Sequence, residues 1–397
     1  MRLSPSLIWH APRRISSSML LKRADSATFC AVLVAIAYAG FILLRLHTFG
    51  DPSAFIVAGD RFVNAAQAPH GLIILPHGSG YDGQFYYRLA LNPFNNHVTA
   101  YGITFDKPAY RQQRILYPLI AWLLSFGQAQ LVPVTLIVVN YVALIVLGFV
   151  AGRYAQAFGR SALWGLAIPL YPGFVLSVAR DLAEPLAAVL LITSLLLAQR
   201  RRFVAAAIAL SLAILTRETM LLVALALGLV WAAGWLYHWL RVLAPNLSPN
   251  LAARLAPDLA PALPRIPWYY AFTPLAVFAC WQSLLLIEWG HLAYTNGAGN
   301  IGVPFEGFAR LLGVVAAGAS LEQRGIYWEQ LVIIVFAVLV SLSLRMTQTP
   351  FFTRLAWIFA AALSVCLTTL VWVDDWAFLR ALAEFFLLGD CILIAGR

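Results

Sequence analysis

The sequence predicts an all-α, polytopic membrane protein of about ten transmembrane helices, with interfacial helices in its first external loop. Three observations carry that expectation. Of 397 residues, 61% are hydrophobic and only 11% charged, against roughly a quarter charged in soluble domains. Mean hydropathy is +0.79. Apolar runs of the length that crosses a ~30 Å hydrocarbon core recur from one end of the chain to the other. A single integrated membrane domain over 1–397 is expected.

The elements follow in order. A basic segment, 1–26, carries Arg13, Arg14, Lys22 and Arg23. The apolar run behind it is too long for a signal h-region and lacks a small-residue cleavage pattern, so a retained anchor is expected. That first span, 28–46, delivers the chain to a mixed, glycine- and proline-containing first external loop, 47–130. Spans are expected at 131–151, 162–178, 182–197, 203–215 and 220–240. A proline-rich cytoplasmic linker, 241–267, leads to a span at 268–287. A second external loop, 288–327, precedes spans at 328–344, 355–373 and 377–394.

Residues 115–126 decide the topology. About twelve residues are too few to cross at 1.5 Å per residue. If they lie in the interface, Arg153, Arg160, the Arg200-Arg201-Arg202 cluster, the basic residues of 241–265 and those of 345–354 all fall inside, as the positive-inside tendency requires. If they cross, the triple arginine goes outside. The interfacial reading is adopted, with both termini inside. All but Asp25, Asp258 and Asp390 of the 17 acidic residues then face or border the external side. Acidic residues contribute little to topology, so this asymmetry points to an external functional surface; solvation of two large loops accounts for part of it.

The net charge of +10 is that of cytoplasmic loops and implies no nucleic-acid partner. Cys30, Cys280, Cys366 and Cys391 lie inside apolar runs without paired spacing, as packing residues do. His70, His77 and His97 show no zinc-site spacing, and no cofactor motif is present. Carboxylates of this kind can hold magnesium or manganese with water ligands. No phosphate-binding glycine loop and no serine-centred nucleophile motif occurs, which argues against a soluble nucleotide donor.

Residues 80–88, Gly-Tyr-Asp-Gly-Gln-Phe-Tyr-Tyr-Arg, place one carboxylate, Asp82, among aromatics with glycines on either side. A general base beside a wall of Phe85, Tyr86 and Tyr87 is one reading; a helix cap is the other. Asp60 is the second candidate base, next to Arg61. Further charges gather at the external ends of spans: Asp106 and Arg114, Arg180 with Asp181 and Glu184, Arg217 with Glu218, and Arg380 with Glu384. Ionisable groups at this depth are paired or functional. Arg180/Glu184 and Arg380/Glu384 have the i,i+4 spacing of intrahelical pairs. Arginine forks also match phosphate oxygens.

These residues resemble the GT-C superfamily of integral-membrane glycosyltransferases, which use polyprenyl-phosphate-linked sugars; protein O-mannosyltransferases and the lipid A aminoarabinose transferase are examples. The resemblance rests on Asp82 to Ala90 in the first external loop, the interfacial stretch from Arg114 to Phe126, Arg180-Asp181 with Glu184, and Thr216-Arg217-Glu218. It covers 33–240 and extends to the C-terminal part only in layout. The paired Asp-Glu found in the first loop of several relatives is absent here, which leaves both Asp82 and Asp60 as candidates for the catalytic position.

The resemblance implies transfer of a sugar from a polyprenyl phosphate to a cell-surface glycan, lipid or protein, with inversion. Asp82 would take the acceptor proton. Arg180, Arg217 and Arg380 would bind the donor phosphate. Tyr86, Tyr87, Arg88, Asp106, Arg114, Asp181, Glu184 and Glu218 would support them, Asp181 and Glu184 as orienting groups that each have an arginine within reach. A flippase for lipid-linked glycans and a non-catalytic scaffold of a glycan assembly complex are the alternatives. A transporter buries its ionisable groups near the midplane in repeated, broken helices, whereas these sit mostly at one face. The Ala-, Leu- and Arg-rich composition, and the absence of a lumenal glycosylation triplet (Asn246-Leu247-Ser248 falls inside and is followed by Pro249), point to a bacterial inner membrane with the site facing the periplasm.

Overall fold

The computed structural model describes residues 25–243, 266–294, 299–307, 309 and 321–396. The basic N-terminal segment up to residue 24, Asn246, Asn296, Arg310 and most of the 241–267 linker lie outside the described residues. The architecture is all-α, with two two-stranded ribbons in the first loop.

Helix α1, Ala27–Phe49, starts where the Ser26 hydroxyl accepts the Phe29 amide, and ends at Gly50 in the left-handed region, a usual αL stop. In the loop that follows, Ala58–Gly59 pairs in parallel with Ile74–Leu75. Three short helices come next, α2 Gly83–Leu91, α3 Pro108–Gln112 and α4 Leu116–Leu124. Between the first two, Thr99–Ala100 and Ile103–Thr104 form a hairpin. Its Tyr101-Gly102 turn has φ positive at both residues, the geometry that matches the strand twist. At nine residues, or about 14 Å, α4 is too short to cross a bilayer. Its Tyr117 bonds the Leu136 carbonyl early in α5, Val132–Ala157.

Among the described residues four helices are long and apolar enough to cross a membrane: Ala27–Phe49, Val132–Ala157, Glu218–Trp239 and Trp268–Trp289. Large apolar side chains such as Ile36, Leu43, Leu44, Ile287 and Leu342 stand on their outward faces or on those of neighbouring helices, as in helices solvated by lipid.

Several expected spans are shorter or broken. The 162–178 stretch is a 3₁₀ turn, Ala162–Ala167, and then α6, Pro172–Val178. Pro169 and Pro172 cannot donate to a helical ladder, so the run cannot be one helix. Helices α7, Glu184–Gln199, and α8, Phe203–Thr216, reach only about 24 and 21 Å. After α9, Leu221–Leu243, α10, Trp268–Trp289, and α11, Leu321–Ser343, come α12, Phe351–Val365, and α13, Thr369–Trp372. The 355–373 span therefore divides in two: Gly302 and Phe305 donate to the Cys366 and Val365 carbonyls, and Thr368 donates to Asn300. The 377–394 span divides at Leu382 into α14, Asp375–Ala381, and α15, Ala383–Ile394.

The chain shuttles between two chemically different ends. At one, Asp25 accepts from Ser161 and Ala162, Arg160 donates to Gly396, and Thr347 bridges Gly396. The α7–α8 connection with Arg200 to Arg202 lies at the end of α7 away from Glu184. The other end holds Glu184, Arg217, Glu384 and the first loop.

Candidate functional site

Two glycines bring the first loop onto the bundle. Gly80 has φ +61, and a Cβ there would lie 2.6 Å from the Gly59 amide. A Cβ on Gly83 would lie 2.3 Å from the Arg180 carbonyl and 2.6 Å from that of Ile56. Only glycine lets the start of α2 seat against the turn between α6 and α7, and this seat carries Asp82.

Asp82 stands at the N-cap position but makes no capping bond. Its carboxylate faces three guanidiniums instead. Arg111 Nη1 meets Oδ1 at 2.7 Å, Arg380 Nη2 meets Oδ2 at 2.7 Å, and Arg114 Nη1 stands 3.9 Å from Oδ2. Burial alone would raise the Asp82 carboxyl; the charges of Arg111, Arg380 and Arg114 outweigh it and hold it well below the usual carboxylate range. A narrow cleft lined by Asp82, Phe85, Tyr86, Tyr110, Arg111 and Arg114 opens beside this contact.

Each of these arginines also has a carboxylate of its own. Asp106 takes Arg111 Nε and Nη2, both at 2.7 Å. Glu218 takes Arg114 Nε at 2.6 Å and Nη2 at 2.5 Å, and the Tyr110 hydroxyl accepts from the same Nη2. Glu184 Oε1 takes Arg380 Nε at 3.0 Å and Arg217 Nη1 at 2.5 Å. Arg217 continues to Glu384 at 2.8 Å and donates to the Arg380 carbonyl. Glu184 and Glu384 both occupy first turns of helices, where the backbone dipole favours anions.

The intrahelical pairs expected from i,i+4 spacing do not form. Arg180 lies in the turn before α7, its guanidinium 3.7 Å from the Trp376 ring centre and 5.3 Å from that of Tyr81. Arg380 and Glu384 lie on opposite sides of the Leu382 break. Asp181 is fully buried with positive φ, and neither carboxylate oxygen has a hydrogen-bond partner among the described residues, in contrast to the expected arginine contact.

Asp60 sits apart from the cluster. Its carboxylate accepts from the His77 and Gly78 amides at 2.7 and 3.1 Å, which hold its carboxyl below the ordinary value. Its carboxylate therefore braces the loop through backbone amides.

The aromatic wall is packed inward: Phe85, Tyr86 and Tyr87 are all buried. Phe85 rests against Phe62, Phe105 and the Arg111 guanidinium, Tyr86 edge-on to Tyr117. Arg88 is buried 3.5 Å over Phe105 and donates to the His97 and Val98 carbonyls. It staples the loop from outside the cluster.

Arg111 and Glu384 emerge as central residues. Arg111 had a signal in its three-residue spacing from Arg114 just after the helix-starting Pro108. Among the described residues no group of three or more His, Cys, Asp or Glu side chains is placed to hold a metal ion. Comparison with protein-family models, with curated proteins and with solved structures finds no match.

Proposed function

We propose that the protein is a membrane glycosyltransferase that moves a sugar from a polyprenyl phosphate to a hydroxyl acceptor at the outer face of a bacterial inner membrane. The observation that carries this reading is the convergence of Arg111, Arg114 and Arg380 on one carboxylate, Asp82, at the end of the bundle opposite Arg200 to Arg202. This reading takes the chain through the bilayer ten times; among the described residues four helices are long and apolar enough to make a full crossing. Guanidiniums bind and stabilise a departing phosphate; a carboxylate among them can take a proton.

In the transfer the acceptor O–H bond breaks and its proton goes to Asp82. The acceptor oxygen bonds to the anomeric carbon as the bond from that carbon to the phosphate oxygen breaks. The electron pair leaves with the phosphate, which the arginines neutralise, so no general acid is required. A single displacement of this kind inverts the anomeric centre.

Purified protein in liposomes, supplied with polyprenyl-phosphate sugars and candidate acceptors, should transfer sugar. Asp82→Asn should reduce the rate by about 10²–10⁴-fold. Movement of lipid-linked glycan without transfer would replace this reading with the flippase. A cysteine placed at Arg201 should be labelled only from the cytoplasmic side.

A further inference from the structure

The arginine cluster contains its own anion. Each of the three guanidiniums facing Asp82 is held independently by another carboxylate: Arg111 by Asp106, Arg114 by Glu218 and Arg380 by Glu184. If Asp82 is taken away, all three remain anchored and still point at the space it filled. Asp82 has no comparable tie. Its side chain makes no capping bond to its own helix, and among the described residues its polar contacts go to these arginines. The adjoining cleft, lined by Asp82, Arg111, Arg114 and Tyr110, has room for about one water molecule, so an added anion must displace a group already there.

We infer that Arg111, Arg114 and Arg380 form the binding site for a phosphate ester, that Asp82 occupies this site as a removable plug, and that the incoming phosphate releases Asp82 to act as base. The inference rests on the transferase reading and adds Arg111 and Arg114 to the phosphate contacts, with Arg217 enclosed behind them as a support for Glu184 and Glu384. The exchange is chemically consistent. Guanidinium forks that donate to the oxygens of one carboxylate donate to those of a phosphate equally well. Losing its partners to an anion also makes the Asp82 carboxylate a stronger base, because nearby positive charge is what suppresses its protonation. The lipid phosphate must then bind before the acceptor can lose its proton.

The test is the sign of a change in binding. Farnesyl phosphate is titrated calorimetrically into the full-length protein in nanodiscs, with inorganic phosphate and farnesol in parallel. If Asp82 competes for the site, Asp82→Asn should bind farnesyl phosphate tighter than the wild type by about tenfold or more. Arg111→Gln in the Asp82→Asn background should abolish that gain. Tightening with inorganic phosphate as well would mean that the headgroup suffices; tightening with farnesyl phosphate alone would add the prenyl chain to the recognition. Farnesol should show none.

A second measurement needs no variant. Carbodiimide labelling of Asp82 in the wild type should rise when farnesyl phosphate binds, while labelling of Asp60 stays constant. Binding that is equal or weaker in Asp82→Asn, with Asp82 labelling unmoved in the wild type, overturns the plug and leaves the transferase reading in place. An absence of phosphate binding in both proteins, together with an absence of sugar transfer, overturns both.

Discussion

Arg217 is the most enclosed guanidinium of the cluster, and truncating it asks whether the ion network is a structural unit. Its side chain is 7% exposed, and those of Glu184 and Glu384 are 3% and 5% exposed. Breaking a buried pair by removing one partner costs about 3–5 kcal/mol, because the stranded charge keeps its desolvation penalty and loses its compensation. The loss should fall unevenly. Glu184 keeps Arg380, whereas Glu384 keeps uncharged donors such as the Thr219 hydroxyl. Arg217→Ala should therefore lower stability by about 3–5 kcal/mol. Neutralising the stranded partner in Arg217→Ala/Glu384→Gln should recover roughly half of that, since contacting residues are not additive. Reversible unfolding in mixed micelles, followed by tryptophan fluorescence, gives both numbers. An Arg217→Ala protein within about 0.5 kcal/mol of wild type, the range of an ordinary surface substitution, would refute the closed network. A double variant weaker than the single by the full cost of Glu384→Gln would refute the assignment of the stranded charge.

Two further outcomes are expected. Gly83→Ala places a methyl against two backbone carbonyls, so the same unfolding assay should show a loss of at least about 1–3 kcal/mol, and transfer should fall with it because Asp82 moves. For pH, the folded Asp82 carboxyl lies below its unfolded value of about 3.9. Its stabilisation is thus fully present above that unfolded value and is lost as pH falls toward the folded one. The stability gap between wild type and Asp82→Asn should be flat from about pH 8 to 5 and narrow only below about pH 4; a gap that closes between pH 5 and 7 would contradict the arginine contacts.

Much of this site was legible as composition and little of it as pairing, for a physical reason. Flanking glycines marked Asp82 because a backbone that must touch other backbone cannot carry a Cβ, and Gly80 and Gly83 do touch it. The helix ends holding Arg180, Arg217 and Arg380 were visible because charge in an apolar chain collects where helices end. Which charge meets which depends on how the helix ends are arrayed in space. Asp82 reaches Arg111 across 29 residues and Arg380 across 298, separations that no local rule addresses.

Where a local rule was applied, its premise failed. The i,i+4 pairing of Arg180 with Glu184 and of Arg380 with Glu384 requires one continuous helix through both residues. α7 begins only at Glu184, and Leu382 separates α14 from α15. Those interruptions have a consequence for the site. A continuous helix would have let each arginine satisfy the acid one turn away. The breaks turn Arg380 toward Asp82 and Glu184 and leave Glu384 to Arg217, so the elements become tied to one another through their charges. An enclosed network linked in this way holds its arginines at fixed places even when one carboxylate leaves. That property lets a site bind an anion by exchange, where a set of self-satisfied helical pairs would have nothing to offer it.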